Sequence, residues 1–411
     1  MAVLDLRRKL SILADAAKYD ASCASSGSVK RTSTDGKGMG STDSGMGICH
    51  AYAPDGRCIS LLKVLLTNFC VYDCAYCINR VSSNVPRARF SVQEVVDLTL
   101  GFYRRNYIEG LFLSSGIIQS ADYTMEAMVR VAKALRLDHD FRGYIHLKLI
   151  PEASPQLVAE AGLYADRLSI NIELPRDESL AALAPEKDSG VIKKAMGGVR
   201  LGIEARSEKA RKAKPPKFAP AGQSTQLIVG ADEATDGEIL DRSVGLYGSY
   251  GLKRVYYSGY SPIPDSSSRL PPSKPPLMRE HRLYQADWLM RVYGFDRDEI
   301  TLDGGMLDLE VDPKLAAALK ARGDFPVDIN TADREAMLRV PGLGVRGVDR
   351  LIGVRRYKRL TLEDVKRACG GLAKVRPFIV ADGWTPGSLL DAENLRGLLP
   401  KDPEPAQLDL F

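Results

Sequence analysis

Between residues 59 and 262 short apolar runs alternate with longer segments of helical periodicity, and this rhythm constrains the fold more than any other feature. ISLLKVLLT (59–67), GLFLSS (110–115), GYIHLKLI (143–150), RLSINIEL (167–174), TQLIVG (225–230) and RVYYSGYSP (254–262) read as strands. SVQEVVDLTLGFYRR (91–105), YTMEAMVRVAKALRL (123–137), SPQLVAEAGL (154–163) and a segment near 236–249 read as helices between them. Ser154 stands as an N-cap with Pro155 at the first helical position. Strands that alternate with helices pair in parallel through right-handed crossovers. Six strands predict an α/β fold with a partial (β/α)6 TIM-type barrel, not a closed eight-strand barrel. In such folds the chemistry gathers at the C-terminal ends of the strands.

The rest of the chain is appended to this barrel. Its 411 residues exceed one average domain, and 45% hydrophobic content suffices for a substantial core. No stretch approaches the length of a membrane span. The first residues, MAVLDLRRKLSILADAAKYDA, read as an amphipathic helix, not a signal peptide. Seven cysteines, three of them clustered, argue for a reducing cytoplasm and metal binding over a disulfide framework. The net charge of +5 is mild, so its distribution matters more. Five segments follow: 1–58, a helix and a Gly/Ser-rich stretch; 59–277, the barrel; 278–326, a helical connection; 327–400, a C-terminal module; and 401–411, a tail. The Gly/Ser-rich residues 24–47 read as a linker or as a lid beside a site. EARSEKARKAKPPKFAPAG (204–222) reads as a solvated insertion or as a phosphate contact. In REHRLYQADWLMRVYGF (279–295) the aromatics read as core.

Directly after the first strand stand Cys70, Cys74 and Cys77, spaced C-x3-C-x2-C in TNFCVYDCAYCINR. A disulfide needs two sulfurs and a closed zinc site four ligands. Three thiolates leave one metal position open, as in an iron–sulfur cube with one free iron. A zinc knuckle with a distant fourth ligand is the alternative. The spacing, and Tyr76 just before the last cysteine, resemble the signature of the radical S-adenosylmethionine (radical SAM) enzymes. That resemblance implies a [4Fe–4S] cluster on the three cysteines, with SAM on the fourth iron. It further implies that Tyr76 lies against adenine and that Ser114, Ser115 and Gly116 stand where the family has a Gly-Gly-Glu stretch for the SAM amino group. The serines and the missing acid depart from that pattern. Asn171 and Glu173, two apart on one strand, face one side and are candidate ribose or carboxylate partners, or plain interior polar groups. Gln226–Gly230 resembles the family's fifth-strand run against adenine. Cys49 and Cys58, and Tyr256, Tyr257 and Tyr260, are candidate hydrogen donors, although most lone cysteines are only buried.

The C-terminal module carries a second motif. VDINTADREAMLRVPGLGVRGVDRLIGVRR (327–356) resembles a helix-hairpin-helix. Asn330 or Thr331 is expected to cap a first helix bearing Ala332, Ala336, Leu338 and Val340, and a second helix begins near Val345. Gly342, Leu343 and Gly344 form a hairpin whose amides suit a nucleic-acid phosphate, with Arg346 and Arg350 adding charge. The alternative is a hairpin used only for packing. The tail Gln407, Leu408, Asp409, Leu410, Phe411 resembles the short peptide by which polymerases and repair proteins bind the sliding clamp. Together these features resemble a bacterial family of DNA-modification or DNA-repair radical SAM proteins found alongside uracil-DNA-glycosylase-like proteins. The resemblance implies a SAM-dependent enzyme acting on a base or lesion in DNA. An RNA substrate, or a DNA-binding scaffold with a structural or redox-sensing cluster, are the alternatives.

Overall fold

The computed structural model describes residues 4–18, 47–52, 58–209 and 217–400. Most of the 24–47 stretch, residues 210–216 of the basic segment and the tail residues Gln407, Leu408, Leu410 and Phe411 lie outside the described residues. The chain divides into two compact units, one holding residues 1–234 and 244–275 and the other residues 235–243 and 276–406.

In the first unit a seven-stranded sheet runs in strict chain order: β1 (Ile48–Tyr52), β2 (Cys58–Leu65), β3 (Gly110–Ser114), β4 (Tyr144–Lys148), β5 (Arg167–Ser169), β6 (Gln223–Val229) and β7 (Arg254–Gly259). β1 pairs antiparallel with β2, and β2 to β7 pair in parallel. The six parallel strands are the curled half-barrel expected from the apolar rhythm. β1 is an added edge strand.

The helices are α1 (Leu6–Ala17), α2 (Val92–Arg104), α3 (Ala121–Leu137), α4 (Pro155–Tyr164), α5 (Asp177–Leu183), α6 (Ser189–Lys209) and α7 (Asp236–Tyr250). α2 starts at a reciprocal capping box between Ser91 and Glu94, and Lys9 of α1 also reaches Glu94 at 2.8 Å. Ser154 is the N-cap of α4, but its side chain makes no capping bond, and Pro155 fixes the first turn instead. The 204–222 segment is not wholly an insertion, because α6 runs on to Lys209. Gly162 of α4 and Gly202 of α6 explain their own presence. A Cβ there would come within 2.1 Å and 2.7 Å of the buried Phe218 ring.

β5 is shorter than its apolar run. It stops at Ser169, and Glu173 then takes a left-handed backbone with φ +70°. The alternation assumed for Asn171 and Glu173 therefore does not apply.

In the second unit, α8 (Leu277–Trp288) continues into a π-helical turn over Leu289–Tyr293. Its arginines serve structure: Arg279 pairs with the buried Asp236 at 2.7 Å, and Arg282 is itself buried. Trp288 is exposed, under Arg291, and so is not the core residue expected. Short α9 (Arg297–Ile300) and α10 (Pro313–Lys320) lead to α11 (Arg334–Arg339), α12 (Val345–Val354) and α13 (Leu362–Cys369). One core runs from Val311 to Leu399 and includes Leu338, Val340, Leu343, Val348 and Phe378.

The helical pair expected at 327–356 is present as α11 and α12, with two corrections: α11 is shorter than expected, leaving Ala332 and Val340 outside it, and its cap differs. Asp333 caps α11, accepting from the Ala336 amide at 2.7 Å. Asn330 instead pairs both ways with the Leu360 backbone, and Thr331 donates to Asp328. Among the described residues no helix is long and apolar enough to cross a membrane.

Candidate cluster and SAM site

β2 delivers the chain at its C-terminal end into the cysteine loop, and backbone bonds fix where that loop goes. The Gly116 amide donates to Thr67 O at 2.8 Å, and the Val71 amide donates to Ile117 O at 2.8 Å. These bonds hold the loop against the end of β3. A Cβ on Gly116 would fall 2.3 Å from Phe69 O, so only glycine allows this approach.

Arg87 binds the loop from within. Its guanidinium donates to Asn79 O at 2.9 Å, Arg80 O at 2.6 Å, Ser83 O at 2.9 Å, and also to Asn68 O. Asn68 accepts from the Ala88 amide and donates to Pro86 O. Arg80 ties the far side to Asp265 O at 2.7 Å.

All three loop cysteines are free, Cys74 buried and Cys70 and Cys77 partly buried. Burial pushes the Cys74 thiol up to about 12 and the Cys77 thiol up to about 11. Neither is an activated nucleophile in its own right, whereas a coordinating metal ionises such thiols outright. The Asn79 amide donates to Cys77 Sγ at 3.4 Å, a bond that suits a ligating sulfur. Among the described residues no three or more His, Cys, Asp or Glu side chains converge on a single ion. A cube does not require that, because each of its cysteines holds a different iron.

A second group of residues comes to the loop from the segment after α5. Leu183 O accepts from the Ala75 amide at 2.7 Å, and Glu186 accepts from the Asp73 amide at 3.0 Å. Lys187 then reaches Glu173 in a partly buried ion pair and lies 6.0 Å from the Tyr76 ring centroid. Burial works against the Lys187 ammonium, but the Glu173 carboxylate beside it wins and holds its pKa well above the ordinary lysine value. Glu152, after β4, has both carboxylate oxygens buried with no hydrogen-bond partner, and burial raises its pKa. Tyr76 packs on a cluster of Ala75, Leu174, Leu183, Ala231, Tyr260 and Leu270. Its hydroxyl is buried without a partner. A left-handed non-glycine residue, an ion pair and orphaned polar atoms beside three free cysteines describe a site built for a polar ligand and a soft metal. These residues fit a cluster and SAM.

The expected residues divide accordingly. Tyr76 and Glu173 stand together at the cysteine loop. Gly116 is there for close packing. Ser114 is buried, and Ser115 Oγ bonds its neighbour Gly116 O at 2.6 Å. Asn171 is partly buried just past β5. Gly230 has φ +75° at the end of β6, where a Cβ would lie 3.0 Å from Pro275.

Cys49 packs with Ile59, Leu61 and Phe112 in an apolar cluster, and Cys58 is exposed at the start of β2. Both lie toward the end of β2 away from the cysteine loop. Cys49 is paired with Leu61, and the four residues from there to Leu65 span about 13 Å. Neither is brought to the cluster cysteines. Of the tyrosines, Tyr260 packs beside Tyr76, Tyr256 lies on the opposite face of β7 from Tyr257, and Tyr257 is fully buried. Lys187, Glu152 and Arg87 were not singled out from the sequence. They follow no periodicity, and an isolated charge in a connecting segment gives no signal of its own.

Residues 64–242 match the family model described as the Radical SAM superfamily. The cofactors that go with this family are a [4Fe–4S] cluster and SAM. No curated protein matches the chain. Three solved structures are similar. The FeFe-hydrogenase maturase HydG from Carboxydothermus hydrogenoformans is 15% identical, with TM-score 0.42 over 55% of this chain and 50% of that one. The radical SAM methyltransferase TsrM from Kitasatospora setae, with cobalamin and a [4Fe–4S] cluster bound, is 13% identical, with TM-score 0.36 over 49% and 35%. The coproporphyrinogen III oxidase HemN from Escherichia coli is 16% identical, with TM-score 0.35 over 62% and 56%. The match spans about half the length of the HydG and HemN chains and about a third of TsrM.

Proposed function

We propose that this chain is a radical SAM enzyme that cleaves SAM reductively at a [4Fe–4S] cluster held by Cys70, Cys74 and Cys77, and that modifies or repairs a base in DNA. The cysteine loop carries the reading: three free cysteines at the C-terminal end of the first parallel strand, inside the segment that matches the superfamily. When bound, the reduced cluster and SAM supply a 5′-deoxyadenosyl radical that abstracts hydrogen. The protein's part is to position and to exclude water. Arg87 and Gly116 set the loop, and the apolar cluster around Tyr76 and Tyr260 keeps the site dry. Lys187 and Glu173 offer a cation and a carboxylate to the ends of a zwitterionic amino acid such as the methionine part of SAM.

The DNA half rests on the second unit. The turn over residues 340–344 joins α11 to the ten-residue α12, with Gly342 at φ +82° and Gly344 as N-cap. The amides at such a helix start suit a phosphate, and exposed Arg346 and Arg350 add positive charge beside it. An extruded nucleotide is what a base-directed enzyme of this kind needs. On the same reading the tail Gln407–Phe411 docks on a sliding clamp, and a uracil-DNA-glycosylase-like protein is a partner. Loss of binding heat with clamp on deleting 407–411 tests the tail.

The deciding experiment is anaerobic reconstitution with iron, sulfide, SAM and dithionite. 5′-Deoxyadenosine is the expected product, followed by an altered nucleoside in DNA by mass spectrometry. A protein that holds its cluster but forms no 5′-deoxyadenosine is a scaffold, and the enzymatic reading then fails.

A further inference from the structure

The outward side of α8 inverts the usual order of a surface helix. Along α8 and the π-helical turn that follows, the exposed residues are His281, Gln285, Trp288, Arg291 and Val292. His281, Gln285 and Trp288 follow one another at helical spacing, so they form one stripe. The inward side holds Arg282, Leu283, Ala286 and Asp287, all buried. A surface helix normally turns its carboxylates to water and its indole to the core. Here Asp287 is 4% exposed and Trp288 49%.

The stripe is held in place by its neighbours. Arg291 lies over the indole with Cζ 5.8 Å from the ring centroid. The buried Asp287 fixes that guanidinium, accepting from Nε at 3.0 Å and from Nη2 at 2.6 Å. Arg282 anchors Gln285, donating from Nη1 to Gln285 Oε1 at 2.8 Å. Partial burial, then Arg282, lower the His281 pKa, so near pH 7 the ring is neutral and offers one donor and one acceptor. The π-helical turn starts directly after Trp288, and such turns are rare and recur at functional sites. Its far end, Tyr293, reaches the hairpin between α11 and α12. Lys314 Nζ lies 4.8 Å from the Tyr293 ring centroid, and a Cβ on Gly344 would lie 3.6 Å from Tyr293 Oη. Five residues, about 7 Å of helix, carry the chain from Trp288 to Tyr293.

We propose that this stripe of α8 binds unpaired bases of a DNA strand, with Trp288 as the stacking platform and His281 and Gln285 bonding to base edges. A flat π-face beside a fixed cation stacks with any nucleobase, and His and Gln side chains suit the exposed edges of single-stranded bases. None of the exposed residues is acidic, so phosphates can run alongside. Among the described residues of this helix and turn only Trp288 and Val292 are exposed large apolar side chains, too little for the face of a protein partner. The inference rests on the reading of DNA as the target. It adds that the strand is bound open, which is the form a base-directed enzyme needs.

Two single strands of equal length test it on the reconstituted full-length protein: an oligothymidylate and an abasic strand with the same backbone but no bases. Fluorescence anisotropy of the labelled strands should show the parent binding the thymidylate about tenfold or more tighter than the abasic strand. Trp288→Ala should erase that advantage and Trp288→Phe keep part of it, with thermal unfolding followed to confirm that both variants fold. The chain has two tryptophans, so Trp384→Phe leaves Trp288 as the single indole, and its emission should be quenched by the thymidylate and not by the abasic strand. Equal binding of the two strands by the parent overturns the proposal, and that comparison needs no variant. A base advantage that survives Trp288→Ala overturns it as well. Duplex DNA is measured in the same preparation. Duplex retained without a base advantage sinks the stripe alone, and binding of neither strand nor duplex sinks the DNA reading with it.

Discussion

Single residues around the cysteine loop do more than the three sulfurs. Arg87 has no counterpart in the motif C-x3-C-x2-C, yet four loop carbonyls depend on it. Arg87→Ala leaves those carbonyls to water or to nothing, at a cost of about 1–3 kcal/mol. The variant should hold clearly less iron per chain after reconstitution than the parent, and a parent-like iron content would show that the loop does not need the arginine. Glu173 was visible in the sequence for the wrong reason. It was placed by strand alternation, whereas a left-handed turn after β5 sets its position. Its partner Lys187 could not be found that way, because sequence pattern reports periodic burial and not a contact closed by a loop. The cysteine trio was legible because its close spacing is itself a local pattern, and spacing is what a sequence displays.

At the scale of elements, the six parallel strands were readable because each carries a short apolar run with a break on either side. α6 was not, because Gly190, Gly197, Gly198 and Gly202 weaken both its propensity and its amphipathic pattern. The hairpin between α11 and α12 shows that two glycines in one motif can differ in kind. Gly342 has φ +82°, and a Cβ there would sit 2.8 Å from Val375 Cγ2. Gly344 has φ −93° and only Tyr293 Oη near, at 3.6 Å. Gly342→Ala should therefore destabilise the second unit by about 1–3 kcal/mol, and Gly344→Ala by less than about 1 kcal/mol. Denaturant unfolding of the two variants side by side checks the order, and equal losses would contradict it.

A buried lysine supports the same hairpin. Lys314 donates to Leu343 O at 2.5 Å and lies 4.8 Å from the Tyr293 ring centroid. Burial lowers its pKa to about 7, against an upward pull from Asp312. Its folded pKa is depressed, so between about 7 and the ordinary lysine value near 10.5 the unfolded chain binds more protons than the folded one. Lys314 thus makes stability rise with pH across that window, and its penalty is fully present below pH 7. The unfolding midpoint of the parent should climb from pH 7 to pH 9 relative to Lys314→Met, which lacks the titrating group. Parallel pH profiles for the two proteins would show that Lys314 titrates normally.

For the molecule as a whole, the question is whether the chemistry of one unit and the surface of the other serve one substrate. The mild net charge of +5 hides an uneven distribution. In the second unit several basic side chains are neutralised locally: Lys358 by Asp364, Arg359 by Asp382, Arg367 by Glu363 and Arg334 by Asp349. Arg346, exposed beside the hairpin, has no ion pair among the described residues, so its charge is available to a phosphate. Each phosphate neutralised by a protein cation releases condensed counterions, and the logarithm of affinity falls with the logarithm of salt in proportion. If the hairpin holds duplex DNA, Arg346→Ala should reduce that slope by about 1 and weaken binding to all sequences alike. Gly344→Asp places a carboxylate where the phosphate would sit, and should abolish retention while leaving the cluster's visible absorbance unchanged. Fluorescence anisotropy over a salt series reads the slope, and gel-shift reads retention. A slope unchanged in Arg346→Ala together with full retention in Gly344→Asp would remove DNA as the target.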